Sequence, residues 1–157
     1  PGVGRETAEV IVAEMGADMS RFPTARHLAA WAGVAPGNRE SGGKRFPSPT
    51  RNGNHTLRQG LIQAAHAAAH TKDTYLAAQY RRLAARRGKN RAIVAVAHSI
   101  LVIAYCLLSR HEPYRELGGD YFDRLRPEAT AKRLVRRLEN LGYRITLQTP
   151  QEALASG

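Results

Sequence analysis

Ser41 is followed by Gly42, Gly43 and Lys44, and Arg39, Arg45, Arg51 and Arg58 stand in the same stretch of chain. These residue types suit phosphoryl chemistry. A serine hydroxyl can attack a phosphodiester, and guanidinium and ammonium groups stabilise charge developing on phosphate oxygens. Two glycines without side chains leave room for a backbone to approach closely. The segment GNRESGGKRFPSPTRNG also reads as a solvated basic loop in which Ser41 forms a turn, and local sequence alone favours that reading. Ser48 is a second hydroxyl in the same loop.

Two further segments carry candidate phosphate contacts. In the opening Pro-Gly-Val-Gly, Gly2 and Gly4 precede a helix whose first N–H groups, with Arg5, can hold an anion. That pattern resembles the second half of a helix-hairpin-helix element, and a plain structural turn fits it equally well. From Arg81 to Arg91, six cations stand with no acidic residue between them: Arg81, Arg82, Arg86, Arg87, Lys89 and Arg91. They read as a nucleic-acid face or as a solvated helix end favoured by the helix dipole. Arg86, Arg87, Lys89 and Arg91 are taken as DNA contacts, together with Asn54 and Arg58 at the start of a later helix. Lys132, Arg133, Arg136 and Arg137 stay open between DNA, RNA and solvent. Tyr75 and Tyr80 could stack bases, although helix packing is the safer assignment.

No metal site is expected in this chain. His55, His66 and His70 have helical offsets without carboxylate or thiolate co-ligands. Asp120 and Asp123 read as structural or solvated. Cys106, the single cysteine, lies in an apolar run and reads as a buried structural thiol in a reducing compartment.

The elements that must position these groups are mostly helices. Arg5 to Met15 presents Ala8, Ile11, Val12 and Met15 on one face and ends at Gly16. Thr24 caps a short helix through Leu28, Ala29 and Trp31, closed by Gly33. Val34 to Asn54 reads as a long irregular loop, of a length that is often functional. Helices follow from about His55 to His70, Thr74 to Arg87 and Asn90 to Ser109, with Gly88 as a break. Pro127 starts a last helix with Ala131, Leu134, Val135, Leu138 and Leu141 on its apolar face and Gly142 at its C-cap. Tyr143 to Thr149 alternates like a short strand. The expected fold is therefore mostly α. It has a helix-hairpin-helix-like start, a long catalytic loop and a short C-terminal strand, divided into residues 1–118 and an appendage at 119–157.

Ile93, Val96, Ile100, Ile103 and Leu107 are expected to form the buried side of the central helix. The run Ala92 to Leu108 could pass for a membrane span. It contains His98 and Ser99 and is flanked by Arg91 and Arg110, so it reads as a core helix and no membrane role is expected.

Charge narrows the partners. The chain has 157 residues, with 24 Lys and Arg against 13 Asp and Glu and a formal charge of +11. A hydrophobic content of 43% is enough for a packed core, which excludes a disordered basic tail. A folded domain with this charge attracts polyanions, nucleic acid first among them.

The order of AGVAP, SGGK and NGNHTLRQ, within PGVG to QAAHAA, resembles the transposase domain of the IS116/IS110/IS902 family over about Pro1 to Ala69. GGDYFDRLRPEATAKRLVRRLENLGYRITL resembles the C-terminal end of many members. The resemblance implies a two-part catalyst. An N-terminal RuvC-like domain brings acidic residues that hold a divalent metal such as magnesium, and the C-terminal domain brings a serine nucleophile, which matches Ser41. It also implies a structured non-coding RNA that pairs with DNA, assembly as an oligomer, and a bacterial cytoplasmic, nucleoid-associated setting. The chain opens without Met and reads as a cut through a longer protein. On this reading it is the DNA-binding, serine-bearing part of a recombinase, with no cofactor of its own and no activity in isolation. The alternative is a non-catalytic helix-hairpin-helix module that binds DNA or RNA.

Overall fold

The structure, a computed structural model, describes residues 1–37, 39–46 and 52–148. It is mostly helical, as the sequence pattern requires. The helices are α1 (Arg5–Met15), α2 (Ala25–Trp31), α3 (His55–His70), α4 (Tyr75–Arg87), α5 (Lys89–Arg110), α6 (Tyr121–Arg124) and α7 (Pro127–Glu139), with a 3-10 turn at Met19–Arg21. Two short strands, β1 (Arg39–Ser41) and β2 (Lys44–Phe46), form an antiparallel hairpin inside the segment expected to be irregular. The chain divides into two compact units, Pro1–Tyr121 and Phe122–Gly157.

Side-chain caps fix the helix starts in the first unit. Thr24 accepts a bond from His27 N, Asn54 from Leu57 N and Thr74 from Ala77 N. Each satisfies an N–H that the helix itself leaves unpaired. Gly88, with φ of +83°, is at once the C-cap of α4 and the N-cap of α5, so the two helices turn on one residue.

The core of this unit lies between α3 and α5. Leu57, Leu61, Ala64, Ala65 and Ala68 are buried on α3, and Ala92, Ile93, Val96, Ala97, Ile100 and Leu101 on α5. Alanines at the contact let the helix backbones approach. α5 also packs on α2, α4 and the 3-10 turn, and α1 packs on α3. α5 has the length and hydropathy of a membrane span, and its apolar side forms this core.

Burial corrects three sequence readings. Ile93, Val96 and Ile100 are buried as expected, but Ile103 and Leu107 are only half-buried, and so is Cys106. α5 has 22 residues and α4 has 13. Since α4 ends and α5 begins at Gly88, α5 runs on past the cover that α4 gives it. On α1, Ile11 and Met15 are buried, while Ala8 and Val12 face solvent. The packed side instead includes Thr7, Val10 and Glu14, all half-buried. Glu14 can face inward because Asn54, at the start of α3, meets it.

The end of the first unit returns to the start of α4. Glu116 accepts bonds from Tyr75 N at 2.7 Å, Gly118 N at 3.0 Å and the Tyr114 hydroxyl at 2.9 Å. Burial pushes its carboxyl pKa up, but these donors and Leu117 N outweigh it and hold the group below its usual range. Tyr121 meets Tyr75 edge to face, with ring centres 5.2 Å apart. Tyr75 and Tyr80 both pack against the core.

In the second unit, Asp123 accepts bonds from Thr130 at 3.3 Å and Arg133 at 3.1 Å. α7 has the expected apolar stripe, yet none of its residues is buried, and Leu134 and Leu138 are exposed. Its C-cap is Asn140, with Gly142 two residues on at φ of +91°. The strand expected from Tyr143 is not formed through Gln148, and Thr149 lies outside the described residues. A strand needs a paired neighbour, and this segment has none among the described residues.

Ile100 is 4% exposed. Ile100→Asp is expected to destabilise the first unit by about 4 kcal/mol, because it forces an unpaired charge into an apolar site. Urea unfolding of parent and variant measures the difference, and superimposable curves would contradict the burial.

Candidate serine hairpin and cationic cleft

Ser41 is the last residue of β1, and Lys44 is the first of β2. The register pairs Ser41 with Lys44, Glu40 with Arg45, and Arg39 with Phe46. Gly42 and Gly43 have φ of +57° and +74°. Two consecutive positive φ values make the tight primed turn that matches the twist of a two-stranded hairpin, and glycine adopts them at little cost. The glycines next to Ser41 are therefore explained first by the turn. They also leave open space, since a Cβ built at either one meets nothing within 4 Å. Ser41 and Lys44 are both exposed, so a hydroxyl and an ammonium group stand opposite each other at the tip. Arg51 and Ser48 lie outside the described residues.

In the chain, the hairpin stands between two residues whose backbones touch, Gly33 and Gly53, a contact called here the neck. A Cβ built on Gly53 falls 2.3 Å from Gly33 N and 2.6 Å from Ala32 C, so only glycine fits where the outgoing and returning backbones touch. Gly33 has φ of +71°. Asn54, next in the chain, donates its backbone N–H to Trp31 O at 3.1 Å. Its side chain accepts from Leu57 N at 2.9 Å and donates to Glu14 Oε2 at 2.6 Å. Both ends of this amide, read from sequence as a DNA contact, are thus engaged inside the protein. Arg58 is half-buried on the first turn of α3.

The opening glycines separate in role. Gly2, at φ of +79°, packs so closely on α3 that a Cβ would lie 2.5 Å from Ala64 O. Gly4 has open space around it and precedes α1 with no side-chain cap. Arg5 pairs with Glu9 at 2.8 Å on the exposed face of α1. Such a surface pair is weak and leaves the guanidinium available to a stronger anion.

Arg86, Arg87 and Arg91 come together. With Leu83 and Ala95 they line a cleft of about 270 Å³ at the α4–α5 junction, and Lys89 is exposed beside them on the first turn of α5. No ion pair holds these four cations among the described residues. A larger open cleft of about 690 Å³ lies between the 3-10 turn and the end of α5. Its lining includes Asp18, Phe22 and Tyr105 and no Lys or Arg, which suits a polyanion poorly. Among the described residues no three His, Cys, Asp or Glu side chains gather to hold a metal ion.

Residues 1–81, which include the hairpin, its neck and α3, match the model of the transposase IS116/IS110/IS902 family. The chain belongs to that family. It is 37% identical over 119 residues to the transposase for insertion sequence element IS1111A of Coxiella burnetii, covering 73% of this chain and 32% of that protein. It is 34% identical over 118 residues to a probable family 20 transposase of Pseudomonas aeruginosa, covering 73% and 35%. It is 27% identical over 117 residues to a pilin gene-inverting protein of Moraxella bovis, covering 73% and 36%. The chain thus spans about a third of the length of these relatives.

Glu14 and Trp31 are absent from the sequence-derived site, because nothing in their local pattern shows that Asn54 reaches both. The neck generates a contrast between two glycines. Gly53→Ala is expected to destabilise the first unit by about 2 kcal/mol, since backbone on both sides must move. Gly60→Ala, inside α3 with Val10 Cγ1 at 3.4 Å from the new Cβ, is expected to be neutral or to stabilise by up to about 1 kcal/mol. Thermal melts of the two variants should shift in opposite directions or leave only Gly53→Ala shifted.

Proposed function

We propose that this chain is the DNA-gripping, serine-bearing part of a recombinase that cuts and rejoins DNA strands. The observation that carries the reading is Ser41, exposed at a two-glycine hairpin tip opposite Lys44, within the residues matched to the transposase family. In the step proposed, Ser41 Oγ attacks a backbone phosphorus. The Oγ–P bond forms, the P–O bond to one deoxyribose breaks, and the serine proton ends on the released sugar hydroxyl. Attack by a second sugar hydroxyl on the phosphoserine reverses these changes and joins a new strand. The link conserves the phosphodiester, so no nucleotide cofactor is needed. Lys44 is placed to offset charge on the phosphate oxygens.

The divalent metal implied by the family does not fit the groups described here, and no step is assigned to it. Its ligands would belong to the family's N-terminal domain in the complete protein. The complete protein acts on DNA in the bacterial cytoplasm, as an oligomer and with a structured RNA partner. Relatives named as transposases and as a pilin gene-inverting protein support a reaction that rearranges DNA.

DNA binding by this chain is expected to be electrostatic and weakly sequence-dependent. Affinity should fall steeply with added salt, and charge reversal at Arg86 and Arg87 should weaken all duplexes about equally. Titrations by fluorescence anisotropy at several salt concentrations test this, and a flat salt response contradicts it.

In the complete protein, Ser41→Ala is expected to abolish strand exchange while leaving folding and DNA affinity nearly unchanged. Peptide mapping of a trapped protein–DNA adduct decides the nucleophile. An adduct on Ser48, or full exchange by Ser41→Ala, would overturn the assignment, and DNA binding without any adduct would favour a purely binding module.

A further inference from the structure

We infer that the cleft between α4 and α5 holds one unpaired nucleotide of a DNA strand, its base against Leu83 and Ala95 and its phosphate on Arg86, Arg87 and Arg91. The inference rests on the strand-exchanging function proposed above, because a strand that passes from one partner to another has bases that are for a time out of the stack.

The seam between α4 and α5 builds the cleft in steps. Gln79 Nε2 donates to Ser99 Oγ at 2.9 Å, and the Ser99 hydroxyl donates to Ala95 O at 3.1 Å. One turn nearer Gly88 stand Leu83 and Ala95, and about one turn nearer again stand Arg86, Arg87 and Arg91. The bond at one end of the seam and the single-residue turn at the other set the two helices. The cleft is therefore formed before a ligand arrives, which lowers the cost of binding.

Its chemistry has two halves. The three guanidinium groups meet no carboxylate among the described residues. The first turn of α5, which carries Arg91, starts at Gly88 without a side-chain cap. Unpaired guanidinium groups beside helix N–H groups suit a phosphate. Leu83 and Ala95 offer a phosphate nothing. They suit the face of a base, on which guanidinium planes also stack. A duplex turns its phosphates outward and keeps its base faces covered by their neighbours, so it uses only the cationic half. An unpaired nucleotide uses both. At about 270 Å³ the cleft falls near the lower edge of the roughly 300–1,000 Å³ range of small-ligand pockets, with room for one nucleotide and not for a duplex. Neither an aromatic ring nor a side-chain amide lines it, so base identity is read weakly.

The test measures affinity of the complete protein for four labelled probes: a single-stranded oligodeoxynucleotide, the same strand made abasic, its duplex, and an RNA strand of the same sequence. Ala95→Gln puts a polar, uncharged side chain on the floor of the cleft. Arg91→Lys keeps the charge and removes the guanidinium plane, at an exposed position where folding is not at stake. Ala95→Gln is expected to weaken the single DNA strand by roughly fivefold to tenfold and Arg91→Lys by roughly threefold to fivefold. Duplex and abasic strand should each stay within about twofold of the parent. The inference is overturned if Arg91→Lys and a folded Ala95→Gln bind the single strand like the parent, or if either loses as much affinity for the duplex or the abasic strand. A larger loss for the RNA strand than for the DNA strand overturns the assignment to DNA. Ser41→Ala, assayed for strand exchange, separates the two readings. If it exchanges strands, the reading of Ser41 fails. If it is inactive while the cleft variants bind like the parent, only the cleft assignment fails.

Discussion

One close contact between two backbones, Gly33 against Gly53, determines how the rest of the site is built. It brings the end of α2 and the start of α3 together. The residue after the contact, Asn54, starts α3, and α3 carries Leu57, Leu61, Ala64, Ala65 and Ala68 into the core. The same helix thus starts at the close contact and supplies one side of the main helix interface.

Helices are legible in the sequence because their signals are local. Thr24, Thr74 and Pro127 mark starts that the structure places within a residue or so, and the apolar spacing on α5 marks Ile93, Val96 and Ile100. The hairpin is not legible. Its strands carry Arg, Glu and Lys instead of the β-branched and aromatic residues that announce a strand, and only the glycine pair hints at the turn. The inward face of α1 is hidden for a different reason. Glu14 looks like a solvent residue until its partner, 40 positions away, is brought to it by the fold. Glu116 presents the same difficulty, since it bonds the start of α4 from 41 positions away. Family motifs do not say which of their residues hold the scaffold and which are exposed. Gly53 and Asn54 belong to the scaffold, while Ser41 and Lys44 are exposed at the tip.

Charge and apolar surface are distributed differently in the two units. The first unit has a core and gathers Arg86, Arg87 and Arg91 around one cleft with an apolar floor. The junction at Gly88 makes this possible, because a turn of one residue sets the last cations of α4 beside the first of α5. The second unit keeps its leucines at the surface. Leu125, Leu134, Leu138, Leu141 and Leu147 are each at least 40% exposed, and Asp123 pairs there with Thr130 and Arg133.

The two-residue turn has a consequence for how this segment can vary in evolution. Surface loops ordinarily absorb insertions and deletions with little harm. Here the side chains of a paired strand alternate between two faces, so adding or removing one residue on one arm would carry Ser41 to the reverse side of the ribbon and away from Lys44. Gly42 and Gly43 fill the smallest turn that keeps the two in register. An exposed turn is thereby sensitive to a change in length of a single residue.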